Sequence, residues 1–118
     1  MKKTVVFDFD GVIHSYISGW QGIDVIPDPP VEGIREAIED LRGLGYEIVV
    51  VSTRCSTNKG MEAVKDYLNE NGIMVDRICK EKPPAIVYVD DRAICFDGNP
   101  RNLKVRIEAF KPWYEVKG

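Results

Sequence analysis

Asp8 and Asp10 flank Phe9 and precede Gly11, and a second acidic pair, Asp90-Asp91, closes an apolar run near the other end of the chain. Between them stand Ser52-Thr53-Arg54, at the end of another apolar run, and Lys82. An Asp-x-Asp spacing alone arises by chance in an Asp-rich chain. Its position carries the information, because each group follows a hydrophobic stretch that reads as a buried strand. If the groups converge, Asp8, Asp10, Asp90 and Asp91 bring four negative charges against one positive charge from Lys82. Like charges in a partly desolvated cleft must protonate or acquire a cation. Oxygen ligands select a hard ion, and Mg²⁺ binds through one or two carboxylates while accepting a phosphate oxygen. The hydroxyl of Ser52 and the ammonium of Lys82 suit the remaining phosphoryl oxygens. An Asp carboxylate is a competent nucleophile toward phosphorus, and a second acid nearby can act as general acid and then base. The expected chemistry is metal-assisted phosphoryl transfer.

Parallel strands would position these groups. Lys3 to Phe9 predicts a buried strand stopped by Gly11. Residues 11–30 have no helical period and carry Gly19, Gly22, Pro27, Pro29 and Pro30, predicting a loop or short hairpin over one end of the sheet. Asp28 before Pro29-Pro30 is a helix-start signal. Val31, Ile34, Ile38 and Leu41 then form a helical stripe ending near Gly45. Tyr46 to Val51 predicts a second strand, apolar enough to be covered on both faces. Ser56 or Thr57 can cap a further helix with Met61, Val64 and Leu68 buried and Gly72 as its stop. Arg77 to Cys79 is a short strand candidate, Ala85 to Val89 a firm and central one, and Leu103 to Ile107 a last one before the aromatic tail of Phe110, Trp113 and Tyr114. Strand and helix in alternation predict an open parallel α/β sheet, Rossmann-like in three layers with helices on both faces. Ligands of such sheets bind at the carboxyl ends of the strands, where all four polar groups sit.

Composition narrows the alternatives. The chain has 118 residues, the size of one domain spanning residues 1–118. Its 44% hydrophobic and 30% charged residues are those of a globular protein and argue against disorder. A net charge of -3 disfavours general nucleic-acid binding and anionic membranes. No apolar run is long enough to span a bilayer, and Asp8 follows Met1-Lys2-Lys3 too soon for an export signal. Cys55, Cys79 and Cys95 show no CxxC pairing and, with His14 the single histidine, no zinc-ligand spacing. Reduced thiols and a cytoplasmic location are expected.

The ordered set resembles the haloacid-dehalogenase-like (HAD) superfamily of Mg²⁺-dependent phosphohydrolases. The resemblance rests on Val6-Phe7-Asp8-Phe9-Asp10-Gly11-Val12, on Val49-Val50-Val51-Ser52, on Lys82-Pro83-Pro84 and on Ile86-Val87-Tyr88-Val89-Asp90-Asp91, which together span most of the chain. It implies that Asp8 forms an aspartyl-phosphate and that Asp10 protonates the leaving oxygen and later activates water, its backbone carbonyl also touching the metal. Asp91 would be the metal-binding acid of the last motif with Asp90 supporting it, and Ser52 and Lys82 would hold the phosphoryl group. Thr53 is the alternative to Ser52, and Lys80 the alternative to Lys82. The gap after the first motif holds a loop of about twenty residues, and the next gap little more than one helix, so the pattern is that of a capless member. Such relatives take large phosphorylated substrates or use a neighbouring subunit as lid, leaving a homo-oligomer open.

Other residues carry two readings each. Arg54 and Arg92 fit a substrate anion or a salt bridge equally well. His14 suits a substrate contact or a plain loop position. Tyr16 and Trp20 suit a stacking edge for a base or sugar, or packing of their own loop. Cys55 suits core filler or an oxidation-sensitive position, and Asp97 a supporting acid or a turn with Gly98-Asn99-Pro100. The tail around Trp113 and Tyr114 suits a cover for a sheet edge or a meeting point with another subunit. Two other functions compete: a receiver domain that accepts a phosphoryl group, and a non-catalytic signalling domain that keeps the fold. Receivers place the accepting Asp on a middle strand, where this chain has Ser52-Thr53. A degenerate relative would lack one of the acids.

Overall fold

The β-branched runs pair as parallel strands: β1 (Thr4–Asp8), β2 (Glu47–Val51), β3 (Arg77–Cys79) and β4 (Val87–Val89), in the order β3-β2-β1-β4. This computed structural model describes residues 3–115, so the reading of Met1 and Lys2 lies outside the described residues. The register decides what the sheet presents. Asp8 pairs with Val51, and Phe7 pairs with both Val50 and Val89. The strands therefore end level, and Asp8, Ser52 and Asp90 emerge on one rim. The parallel sheet with its helices is the expected three-layer, Rossmann-like α/β arrangement.

Alternation sorts side chains to the two faces. Val5, Phe7, Ile48 and Val50 form one cluster with Ile38 of helix α1 (Ile34–Gly43) and with Val64 and Leu68 of helix α2 (Asn58–Glu70). Val6, Val49 and Val51 face the other way, with Cys79 and Ala85 packed against them. Helix α2 starts where Thr57 accepts the Gly60 amide, one of the two expected caps. No helix among the described residues is long and apolar enough to cross a membrane.

Three expectations change. Asp28 does not start α1, which begins at Ile34 after Gly33; its carboxylate instead takes the backbone and hydroxyl of Ser18 at 2.8 and 2.6 Å, closing the 11–30 loop. A side chain offered such local donors serves a turn as readily as a helix. Leu103–Ile107 is helical, within α3 (Leu103–Ala109). The alternation of Val105 and Ile107 with charged neighbours imitates a strand, but Asn99 accepts the Arg101 amide and Pro100 opens a 3₁₀ turn that runs on into the helix. Asp97 belongs to that turn, accepting from Asn99 and Asn102 at 2.8 Å each. Finally, β4 is an edge strand and not a central one, with Val87 47% and Tyr88 44% exposed. A continuous apolar run does not distinguish the middle of a sheet from its border.

Candidate active site

β1 and β4 are neighbours, so their carboxyl ends bring three acids together. Asp8, Asp90 and Asp91 each offer an oxygen, and those atoms all lie within 4.8 Å of one another. Asp8 is pushed up from its ordinary 3.8 to about 8, first by burial, then by its hydrogen bond with Asp91 and by the charges of Asp90 and Asp91. Burial also works against ionised Asp90, but the Arg92 amide at 2.9 Å and the Lys82 ammonium at 3.0 Å outweigh it and hold its carboxyl low. The carboxylate oxygens of the three acids are hard donors of the kind that holds a divalent cation. Gly11 completes the floor. Its φ of +84° suits glycine, and a Cβ there would collide with the Asp91 carboxylate and come within 2.9 Å of the Tyr114 ring.

Asp10 stands apart from this cluster. Arg54 Nε donates to its Oδ2 at 2.9 Å and Arg54 Nη2 to its Oδ1 at 3.2 Å, while His14 Nδ1 meets Oδ1 at 2.8 Å. The Asp28 amide donates to His14 Nε2 at 3.2 Å, so Nε2 is the acceptor and Nδ1 carries the proton toward Asp10. Burial would raise the Asp10 carboxyl; these bonds and charges hold it below the usual range. Of the metal-site roles expected for Asp10, its carboxylate is engaged elsewhere and only the backbone carbonyl is left for one. Arg54 and His14 are both fully buried. Arg54 Nη1 also caps the carbonyls of Gly22 and Ile23 at 2.7 and 3.0 Å. Of the two readings of Arg54, the ion pair describes it, and neither Arg54 nor His14 presents a surface to a substrate.

A cleft of about 400 Å³ opens beside the acids, lined also by Ser52, Thr53, Tyr16, Trp20 and Arg92. Ser52 is buried, and its Oγ accepts the Arg54 amide at 3.2 Å, which leaves its hydroxyl proton to donate outward. Thr53 is exposed at the same wall. Lys82 reaches Asp90 and stands over the Tyr88 ring at 5.6 Å, outside the residues that line the cleft. Cys55 is buried core filler, and none of the three cysteines is paired.

Two contacts escaped the sequence reading. Trp113 Nε1 donates to the Gly11 carbonyl at 2.6 Å, and the Tyr114 hydroxyl donates to Asp91 Oδ2 at 2.7 Å. The aromatic tail therefore returns to the acidic rim. Only the presence of two adjacent aromatics hinted at a role; nothing in their spacing pointed to Gly11 or Asp91.

Against known proteins, no family model matches this chain, and no curated protein matches it. Solved structures do. A chain of the "Pnkp1/Rnl/Hen1 complex" superposes with a TM-score of 0.56 at 16% identity, over 93% of this chain and 36% of that one. A chain of the "Pnkp1/Rnl/Hen1 RNA repair complex" gives 0.55 at 16%, over 93% and 33%. The likeness is one of fold. This chain spans about a third of the length of the chains it matches.

Proposed function

We propose that the chain is a Mg²⁺-dependent phosphohydrolase of the HAD type, acting through Asp8. The observation that carries this reading is the acid cluster: three carboxylates from two adjacent strand ends, with oxygens within 4.8 Å of one another. The sequence resemblance and the fold of chains from an RNA-repair complex support it. Asp8, Asp90 and Asp91 would hold the ion, which when bound neutralises the acids and draws charge from a phosphoryl oxygen. Asp8 then attacks phosphorus as the bond to the ester oxygen breaks, giving an aspartyl-phosphate. The Ser52 hydroxyl donates to a phosphoryl oxygen, Thr53 flanks it, and Lys82 acts through Asp90. The ester oxygen leaves with a proton from water at the open cleft, because the bonds from Arg54 and His14 keep Asp10 ionised against the acid role the resemblance implies. Asp10 then takes the proton of the water that releases phosphate. The free thiols suit a reducing, cytoplasmic setting.

Hydrolysis of p-nitrophenyl phosphate with and without Mg²⁺ tests this reading, comparing the parent with Asp8→Asn and Asp10→Asn. Turnover should require the ion and disappear in Asp8→Asn. Metal-dependent turnover that survives Asp8→Asn would overturn the covalent route.

A further inference from the structure

Trp20 is 52% exposed, yet it is not loose. Its ring lies on the Arg54 guanidinium, 4.4 Å from carbon to ring centre. That guanidinium is itself fixed by Asp10 and by the carbonyls of Gly22 and Ile23. The indole is therefore a rigid platform tied to a residue of the reaction centre, with a large apolar surface left uncovered at the cleft. Tyr16 stands at the same cleft and is the one non-glycine residue at positive φ among those described, at 62°. A tyrosine held there is strained, and such strain concentrates at ligand sites. Its ring meets those of His14 and Tyr114 edge-on at 5.8 and 5.7 Å. Arg92 is the third member. Its side chain is 62% exposed at the cleft, and its Nε donates to the Tyr114 hydroxyl at 3.3 Å and lies 3.9 Å from Asp91 Oδ2.

Resting on the phosphohydrolase reading, we propose that this rim selects the substrate, and that the substrate is a nucleoside phosphate whose base stacks on Trp20. The cleft pairs a phosphoryl end with an aromatic wall and a guanidinium. A nucleobase offers the flat π-face that the wall takes and the edge acceptors that the guanidinium takes. A volume of about 400 Å³ suits a single nucleotide, and the net charge of -3 opposes a long strand, so recognition is confined to one terminal unit. That unit can be a free nucleotide or the phosphorylated end of an oligonucleotide.

Steady-state kinetics with Mg²⁺ separate these cases. Adenosine 5′- and 3′-monophosphate and a trinucleotide with a terminal phosphate are compared with ribose 5-phosphate, which keeps the phosphate and sugar and lacks the base. The nucleotides should exceed ribose 5-phosphate about tenfold or more in kcat/KM, chiefly through KM. Trp20→Ala should collapse that ratio and Trp20→Phe retain most of it. A preference for the trinucleotide assigns the strand end; parity assigns the free nucleotide. Equal use of ribose 5-phosphate, a ratio indifferent to Trp20→Ala, or a lower KM for phosphotyrosine overturns the inference while leaving the phosphohydrolase standing. A binding measurement covers the case of no turnover. Adenosine 5′-monophosphate should quench tryptophan fluorescence in the parent with Mg²⁺ present, and the quench should vanish when Trp20→Phe is introduced. Absence of that quench refutes the inference, whereas its presence without hydrolysis in the parent refutes only the phosphohydrolase reading.

Discussion

The hydroxyl of Tyr114 holds one oxygen of Asp91, which orients this carboxylate for the proposed cation. Groups that orient a ligand in this way commonly matter ten- to hundredfold to metal affinity. Tyr114→Phe should weaken Mg²⁺ binding by about tenfold, measured by titration calorimetry, with the melting temperature of the metal-free protein nearly unchanged. Arg54 is a different kind of partner, because it is buried and its charge is compensated by Asp10. Arg54→Met would strand the Asp10 carboxylate and free the carbonyls of Gly22 and Ile23. Losing one side of such a pair costs about 3–5 kcal/mol, so denaturant unfolding should show a midpoint shifted far down.

At the scale of the element, the segment Ser52–Glu70 joins strand, 3₁₀ turn and helix with little slack. Gly60 lies in the first turn of α2 with the Arg54 carbonyl where a Cβ would stand. Gly60→Ala, which in an open helix would help, should here destabilise by about 1–3 kcal/mol through overpacking and displace Arg54 from Asp10. Thr57→Ala removes only the cap and should cost about 1 kcal/mol. Chemical denaturation of the two variants ranks them, and activity separates them further: Gly60→Ala should lose turnover and Thr57→Ala should keep it. A reversed order would show that the turn is not held by this contact.

For the whole molecule, the acid cluster couples stability to pH and to the ion. The folded chain binds the Asp8 proton more tightly than the unfolded chain does, since the pKa rises from 3.8 to about 8. Metal-free stability contributed by this group is therefore present at low pH and is lost as pH climbs through that window. Asp8→Asn should remove this loss, and its metal-free melting temperature should exceed that of the parent at pH 8. Mg²⁺ should raise the melting temperature of the parent at pH 8 in a concentration-dependent way, and do so much less in Asp8→Asn. Thermal melts across pH, with and without the ion, check both.

Local chemistry was enough to place β1, β2, α2 and the polar groups at the strand ends, because β-branched runs, a Thr cap and stop glycines act over a few residues. The same information brought Asp8 and the Asp90-Asp91 pair to one rim, since both follow strands of one parallel sheet. It also put Asp10 in the same charge cluster, whereas Arg54 compensates Asp10 apart from it. It failed where two solutions share one local pattern: alternation in Leu103–Ile107 against a helix seeded by Asn99-Pro100, an apolar run in β4 against an edge, Asp28 as helix cap against loop clasp. Tertiary structure alone decided that Arg54 and His14 grip Asp10, that Trp20 rests on Arg54 and that Tyr114 reaches Asp91. Apart from His14, four residues from Asp10, these are contacts between segments distant in the chain, set by how the loop 11–30 and the tail fold back over the sheet, and no spacing between neighbouring residues encodes them.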